Sequence, residues 1–289
     1  MRRLRIAAVG VFVAAVTAGA LLDARRPASA PDSLVLAADL HVHPFPGDGA
    51  LPVWELRREA RRRGIDVIGI TGHNNQFGLR LDSLVGASDE LPIVLPGQEV
   101  TSPDAHMIAL GIDHLIDWRL PVRDAIAAIQ AQGGVAIAAH PTSTTWHDAD
   151  GATFRALDGA EIVHRVARGP HIALLRGFFG RVQAVNPDMA PIGSSDFHVT
   201  APLGLCRTYL LVERRSAAGA LDAIRRGRTV ARDPDGRLFG AAAHVEAVEN
   251  HLTTTSRSDA VSGLDKLLAL GALLSLGALV VVTQGGKGF

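Results

Sequence analysis

Three features of this sequence predict an α/β fold closed, or nearly closed, into a barrel. Short apolar runs alternate with amphipathic segments through residues 34–240, glycine and proline punctuate the joins, and histidines and acids recur where the apolar runs end. Strands alternating with helices imply a largely parallel sheet, and seven or eight such units suffice to close one. In such barrels the groups that do chemistry gather at the carboxyl ends of the strands.

Leu34, Val35 and Leu36 lead into Asp39 as a buried strand, and His41 and His43 at its end share one face because strand side chains repeat every two residues. The next residues, Pro44-Phe45-Pro46-Gly47-Asp48-Gly49, cannot continue a strand or a helix, so Asp48 rides on a loop beside the two imidazoles. Leu56, Ala60 and Ile65 mark the apolar side of a basic helix that ends at Gly64. A strand over 67–70 follows, with His73 at its end. Beyond it come strand-like runs at 92–100 and 107–110, and a helix over 122–132 closed by Gly133-Gly134. Runs at 135–139 and 160–163 precede a helix near 171–179, a segment at 182–185 and the run 191–193. A strand over 208–212 and a helix over 217–226 complete the body.

Both ends carry apolar runs. Met-Arg-Arg-Leu-Arg, then residues 6–22, then Ala28-Ser29-Ala30 match a secretory signal or uncleaved anchor over 1–30. The run is apolar all round and flanked by arginines, which disfavours a buried core helix. A second run, 267–282, would span about 24 Å as a helix, and residues 264–283 read as a C-terminal transmembrane helix. The Thr- and Ser-rich stretch 251–263 reads as the linker to it. A basic N-terminus stays inside and a long following domain crosses the membrane, so the expected location is a bacterial inner membrane with the barrel on the extracytoplasmic, periplasmic side. Membrane attachment on the cytoplasmic side is the alternative.

Composition narrows the function. The 289 residues carry no net charge, so no global field steers nucleic acid towards the chain and no nucleic-acid partner is expected. A single cysteine, Cys206, excludes an intrachain disulfide and a thiolate zinc site. With twelve histidines, any metal site is built from imidazole and carboxylate, which suits zinc, manganese or iron. His41, His43, Asp48, His73, Glu99, His106, His140, Asp196 and His198 all fall at or beside strand ends. Nine ligands are too many for one ion and would serve two or three divalent metals, with Glu99 able to bridge. Of the remaining histidines, His147 and His164 lie nearest the same rim.

In order along the chain, Asp-Leu-His-Val-His with Asp-Gly, Ile-Thr-Gly-His-Asn, Pro-Gly-Gln-Glu-Val, Ala-Ala-His-Pro, Gly-Ala-Glu-Ile and Gly-Ser-Ser-Asp-Phe-His-Val resemble the motifs of the polymerase and histidinol phosphatase (PHP) superfamily. The likeness covers residues 39 to about 213. It implies a distorted (β/α)7 TIM-like barrel with a trinuclear cluster: one metal on His41, His43, Glu99 and Asp196, a second on Glu99, His106 and His140, a third on Asp48, His73 and His198. Two departures stand out. Gly72 occupies the position where the family usually has Asp, and Pro44-Phe45-Pro46-Gly47 replaces the family's usual Thr and Ser.

The expected activity is hydrolysis of a small-molecule phosphate ester by metal-activated hydroxide, with Asp48 or His198 moving the leaving-group proton. Arg165, Arg168 and Arg207 are candidates for gripping the phosphate, because guanidinium matches it in a bidentate way. Two alternatives compete. The same hydroxide could attack a carbamate or carboxylic ester, as in exported carbaryl-hydrolase-like members that residues 221–230 resemble. Alternatively, the chain could be a membrane-held metal-binding module without turnover.

Overall fold

The computed structural model describes residues 2–23, 34–85, 92–141, 146, 149–165, 170–199 and 202–254, with 267, 270, 271, 274 and 275 beyond them. Two compact units divide the chain, Met1–Pro27 with Ser256–Phe289, and Ala28–Thr255. In the first, α1 (Arg2–Asp23) is a single helix over the expected signal or anchor, and residues 24–33 lie outside the described residues. Most of the expected C-terminal span, 264–283, also lies outside them, and among the described residues no helix is long and apolar enough to cross a membrane.

Among the described residues the second unit holds ten strands: β1 (Val35–Val42), β2 (Val67–Ile70), β3 (Ile93–Thr101), β4 (His106–Leu110), β5 (Val135–Ala138), β6 (Gly159–His164), β7 (Ala190–Ser194), β8 (Arg207–Leu211), β9 (Thr229–Arg232) and β10 (Leu238–Gly240). Its helices are α2 (Val53–Arg62), α3 (Phe77–Val85), α4 (Val122–Ala131), α5 (Gly151–Ala156), α6 (Pro170–Gln183), α7 (Ala217–Arg225) and α8 (Ala242–Thr254). The strands form one sheet in the order β10-β9-β8-β1-β2-β3-β4-β5-β6-β7. β7, at one end of that order, lies against β1, β8 and β9. Just past β7, Phe197 bridges Val42, and its carbonyl accepts the His43 N–H at 2.9 Å, so the sheet is nearly closed into a barrel.

The expectation of a largely parallel sheet needs correction. β1-β2-β3 and β5-β6-β7 are parallel, but β4 is antiparallel to both its neighbours, and β8, β9 and β10 pair antiparallel. The reason for β4 is length. Residues 102–105 make a tight turn, closed by the Ser102 N–H on the Ala105 carbonyl at 3.1 Å, and a parallel return needs a crossover of about a dozen residues or more. This reversal puts His106, the first residue of β4, opposite Thr101 at the end of β3. A strand start and the neighbouring strand ends therefore share one rim. Residues 182–185 end α6 and turn away from it, β9 and β10 occupy the last part of the predicted 34–240 body, and α8 extends the unit past residue 240. Residues 251–254 of the expected linker belong to α8, and 255–263 lie outside the described residues.

Leu36, Ala38, Leu40, Leu95, Ile108, Ile137, Ile192 and Leu210, drawn from six strands, pack together inside the barrel with Ala220 and Ile224 of α7. Outside it, α4, α5 and α6 cover β4 and β5 through Ile126, Ile129, Phe154, Phe178 and Val182. α2 covers β1 and β2 through Val53, Leu56 and Ala60. Register shifts occur at two places in the parallel pairs, between Asp39 and Val42 and between Glu161 and Val163. Such irregularities re-aim side chains, and both fall where the polar rim begins.

A candidate metal centre at the barrel mouth

β1 delivers His41 and His43 to the mouth, both fully buried. His41 Nε2 lies 3.2 Å from Glu99 Oε2 and 3.3 Å from Asp196 Oδ1. His43 Nε2 lies 3.2 and 3.1 Å from the same two oxygens, and the two Nε2 atoms are 3.0 Å apart. Five of the six edges of a tetrahedron thus measure 3.0–3.3 Å. A regular tetrahedron of that size has its centre about 2 Å from each corner, the length of zinc–nitrogen and zinc–oxygen bonds.

Glu99, on β3, joins this group to two others. Its Oε1 is 2.9 Å from His106 Nδ1 and 3.2 Å from His140 Nε2, while Oε2 is 3.1 Å from His73 Nδ1. The third group surrounds Asp48: Oδ1 lies 3.2 Å from His43 Nδ1, and Oδ2 lies 3.3 Å from His73 Nε2 and 3.0 Å from His198 Nε2. All nine residues singled out in the sequence therefore converge in three neighbouring groups, each with donor atoms close enough to hold one ion.

Two observations test whether a cation fits. Glu99 Oε2 and Asp196 Oδ1 are buried with no hydrogen-bond partner, although imidazole nitrogens crowd both. Burying an unsatisfied carboxylate oxygen is costly, and a cation among these atoms would satisfy it. The tautomers agree. His41 Nδ1 faces Glu161 Oε1 at 3.0 Å, and His198 Nδ1 faces the Asp196 carbonyl at 3.0 Å. With Nδ1–H donated there, each ring keeps the Nε2 lone pair turned towards the cluster.

Charge is arranged in the same sense. Burial works against the charged form of His41, yet Asp196, Glu99 and Glu161 together hold its pKa well above the ordinary value. Glu99 and Asp196 lie well below the usual carboxylate range, against burial, through His41 first among their partners. Asp48 is also lowered despite its partial burial, by His43, His198 and His73. The backbone is strained at the same places, with φ of +25° at His140, +46° at Asp196 and +48° at Asn74, a region non-glycine residues seldom enter.

Glu161 and His164, both buried on β6, complete the cluster without having been assigned a place in it from the sequence. Glu161 accepts from the Ser194 hydroxyl and from the His140 N–H at 2.5 Å, besides facing His41. His164 Nε2 lies 3.3 Å from Asp196 Oδ2. The available signal for Glu161 was its place in the Gly-Ala-Glu-Ile run one strand beyond His140. Of the three arginines, Arg165 reaches the cluster, with Nε 3.7 Å from Asp196 Oδ2. Arg207 does not. Its guanidinium donates to the carbonyls of Gly204 and Arg63, at 3.0 and 3.5 Å, on the outer side of the sheet by the end of α2. Arg168 and His147 lie outside the described residues.

At Gly72, where an acid was expected, an added side chain would start 3.2 Å from Asn75 Oδ1. Asn75 fills that space, donating to the His73 carbonyl at 2.8 Å and accepting from the Phe77 N–H at 3.2 Å. The Thr101 hydroxyl, 2.6 Å from His73 Nδ1, holds the His73 ring.

No family model matches the chain. An uncharacterized protein of Methanocaldococcus jannaschii is 29% identical over 151 residues, covering 46% of this chain and 84% of that one. A solved two-domain protein from Bacteroides vulgatus, described as containing a predicted PHP-like metal-dependent phosphoesterase, superposes with a TM-score of 0.58 at 19% identity, over 78% of this chain and 74% of the other. PsfC from Pseudomonas syringae superposes with a TM-score of 0.51 at 15% identity, over 77% and 98% of the two chains. The nearly closed barrel of this chain is thus a PHP-like fold.

Proposed function

We propose that the chain is a metal-dependent hydrolase of phosphate esters. The observation that carries this reading is Glu99, one buried carboxylate whose two oxygens face five different imidazoles. His41, His43, Glu99 and Asp196 would hold one divalent ion, Glu99, His106 and His140 a second, and Asp48, His73 and His198 a third, zinc, manganese and iron all being compatible with these donors. Bound there, such ions lower the pKa of water towards about 7 and neutralise charge on phosphoryl oxygens.

The chain's own residues do the rest. Glu161 and the Asp196 carbonyl fix the rings of His41 and His198, so the donors are oriented before substrate arrives. Asp48 is ionised at neutral pH and its side chain is 47% exposed, so it is free to accept a proton from the attacking water, and we assign it with His198 to relaying that proton to the leaving oxygen. Arg165, 3.7 Å from Asp196 Oδ2, is the arginine we assign to donating to a phosphoryl oxygen.

The test is to strip the protein with chelator, reload it with zinc, manganese or iron, and assay aryl phosphates against aryl carbamates and carboxylic esters. Metal-dependent cleavage of the phosphates is expected. Ester or carbamate cleavage with no phosphatase activity would reject the phosphate reading. A loaded protein that cleaves neither class would be a metal-binding module.

We also propose that the barrel works outside the bacterial inner membrane. The arginine-flanked apolar N-terminus supports this, as does the exposure of Ile6, Val9, Val11 and Val13 along α1, since apolar side chains exposed at such closely spaced helix positions favour a lipid or translocon environment. Reporter fusions at Asn250 test it, and a cytoplasmic readout would overturn it.

A further inference from the structure

The mouth has a second chemical character at its open end. Phe45, Phe77 and Val199 are 53%, 61% and 67% exposed, and each stands next to one of the residues of the Asp48 group along the chain or across a short contact. Phe45 precedes Asp48 by three residues, Phe77 follows His73 by four, and Val199 follows His198 directly. Contacts in the fold bring the three segments together. Gly78 sits so close to the Pro44 ring that an added Cβ would lie 2.7 Å from its Cγ and 3.5 Å from the Phe45 carbonyl oxygen, which packs the first turn of α3, with Phe77, against the Pro44–Phe45 segment. The Ala50 N–H donates to the His198 carbonyl at 2.8 Å, which sets Val199 beside the 44–52 loop.

The loop residues are themselves informative. Pro44-Phe45-Pro46-Gly47 puts a rigid apolar edge beside the candidate ligands, and large apolar side chains left in water around a polar cleft mark a binding surface. At the buried end of the same cluster lie Arg165 and His164 against Asp196. The site is therefore polar at its inner end, where Arg165 and His164 face the Asp196 carboxylate, with an apolar collar at its outer end.

We infer that Phe45, Phe77 and Val199 form a subsite for the apolar group of the substrate, an aryl or comparably large hydrocarbon leaving group, so that the substrates are monoesters of hydrophobic alcohols or phenols rather than of sugars or other polyols. This rests on the hydrolase reading of the cluster. Covering one phenyl ring with substrate is worth about tenfold in affinity when the ring is partly buried on binding.

The metal-loaded protein, titrated calorimetrically with 1-naphthylmethylphosphonate and with methylphosphonate, tests the inference without turnover. The naphthyl compound is expected to bind at least about tenfold more tightly. Phe45→Ser and Phe77→Ser should each cut that ratio severalfold, and the double variant should bring it near one. Leu84→Ser, on the 83% exposed tip of α3, should leave it intact. A ratio near one in the unsubstituted protein, no binding of the naphthyl compound, or a ratio that the two serine variants fail to lower would overturn the subsite. The two readings fail separately. Aryl preference without any phosphatase activity would keep the collar and remove the phosphatase, whereas phosphatase activity without aryl preference would do the reverse.

Discussion

His41 and Glu161 are held 3.0 Å apart, Nδ1 to Oε1, with both side chains entirely buried. Glu161 is fixed in turn by the Ser194 hydroxyl and the His140 N–H, so one carboxylate positions two candidate ligands, His41 through its ring and His140 through its backbone. Its own pKa falls to about 2, against burial, because His41 and His164 stabilise the anion. Glu161→Gln keeps the shape and removes the charge. It should weaken metal binding by roughly 10- to 100-fold, the usual cost of losing a carboxylate behind a ligating histidine. Competition against a coloured chelator measures this, and an unchanged affinity would show that the contact is packing alone.

Glu99 makes a sharper prediction, because its two oxygens serve different groups. Glu99→Ala should lower the number of bound ions per chain by at least one, and reduce kcat by more than the roughly 100-fold that outer partners reach. Removing His106, which faces Oε1 only, should cost one ion and leave the His41 and His43 group loaded. Elemental analysis of the purified variants decides between a bridging carboxylate and separate sites.

Much of this centre was legible because it is written in local signals. Apart from Asp48 on its loop and His106 at the start of β4, the nine residues sit where an apolar run stops, and a histidine or acid at a strand end needs no knowledge of distant parts of the chain. What was not legible depends on direction and on partners. His106 was readable as lying beside a strand, but the reversal of β4 that brings it to Glu99 follows from a turn of a few residues. Arg207 looked like its neighbour in role, Arg165, yet it sits on the outer face of β8 with the α2 terminus, and nothing in its surroundings along the chain reports which face it takes. Glu161 had a readable address but no readable role, since only the fold shows that His41, 120 residues earlier, needs a partner at Nδ1.

Gly72 is explained by a residue three positions on. An aspartate there would begin against the Asn75 amide, 3.2 Å from its oxygen and 3.4 Å from its nitrogen. Gly72→Asp should therefore destabilise the fold by about 1–3 kcal/mol, the usual cost of overpacking. Asn75→Ala opens that space while giving up its bonds to His73 and Phe77. The double variant should be more stable than the sum of the two single changes implies, since the aspartate then occupies the vacated volume. Denaturant unfolding of the four proteins measures the coupling, and strict additivity would mean that Asn75 is not what excludes the acid.

Away from the centre, Asp158 gives a pH signature that metal does not complicate. It is a partly buried carboxylate between β5 and β6, accepting the Ala136 N–H at 2.8 Å and the Gln130 amide at 3.2 Å. Burial raises its pKa above the ordinary 3.8, and those two donors only partly offset the shift. The sign follows from proton counting. Between 3.8 and the raised value the folded state holds more proton than the unfolded chain, so stability falls as pH rises through that window. Asp158→Asn keeps an acceptor for Ala136 and carries no charge. Relative to this variant, the unsubstituted protein should lose melting temperature as pH is raised from about 4 towards neutrality, and the gap should then stay constant. Melting curves of both proteins, taken after chelation across that range, give the difference directly, and a gap that moves the other way would mean that the Ala136 and Gln130 bonds outweigh burial.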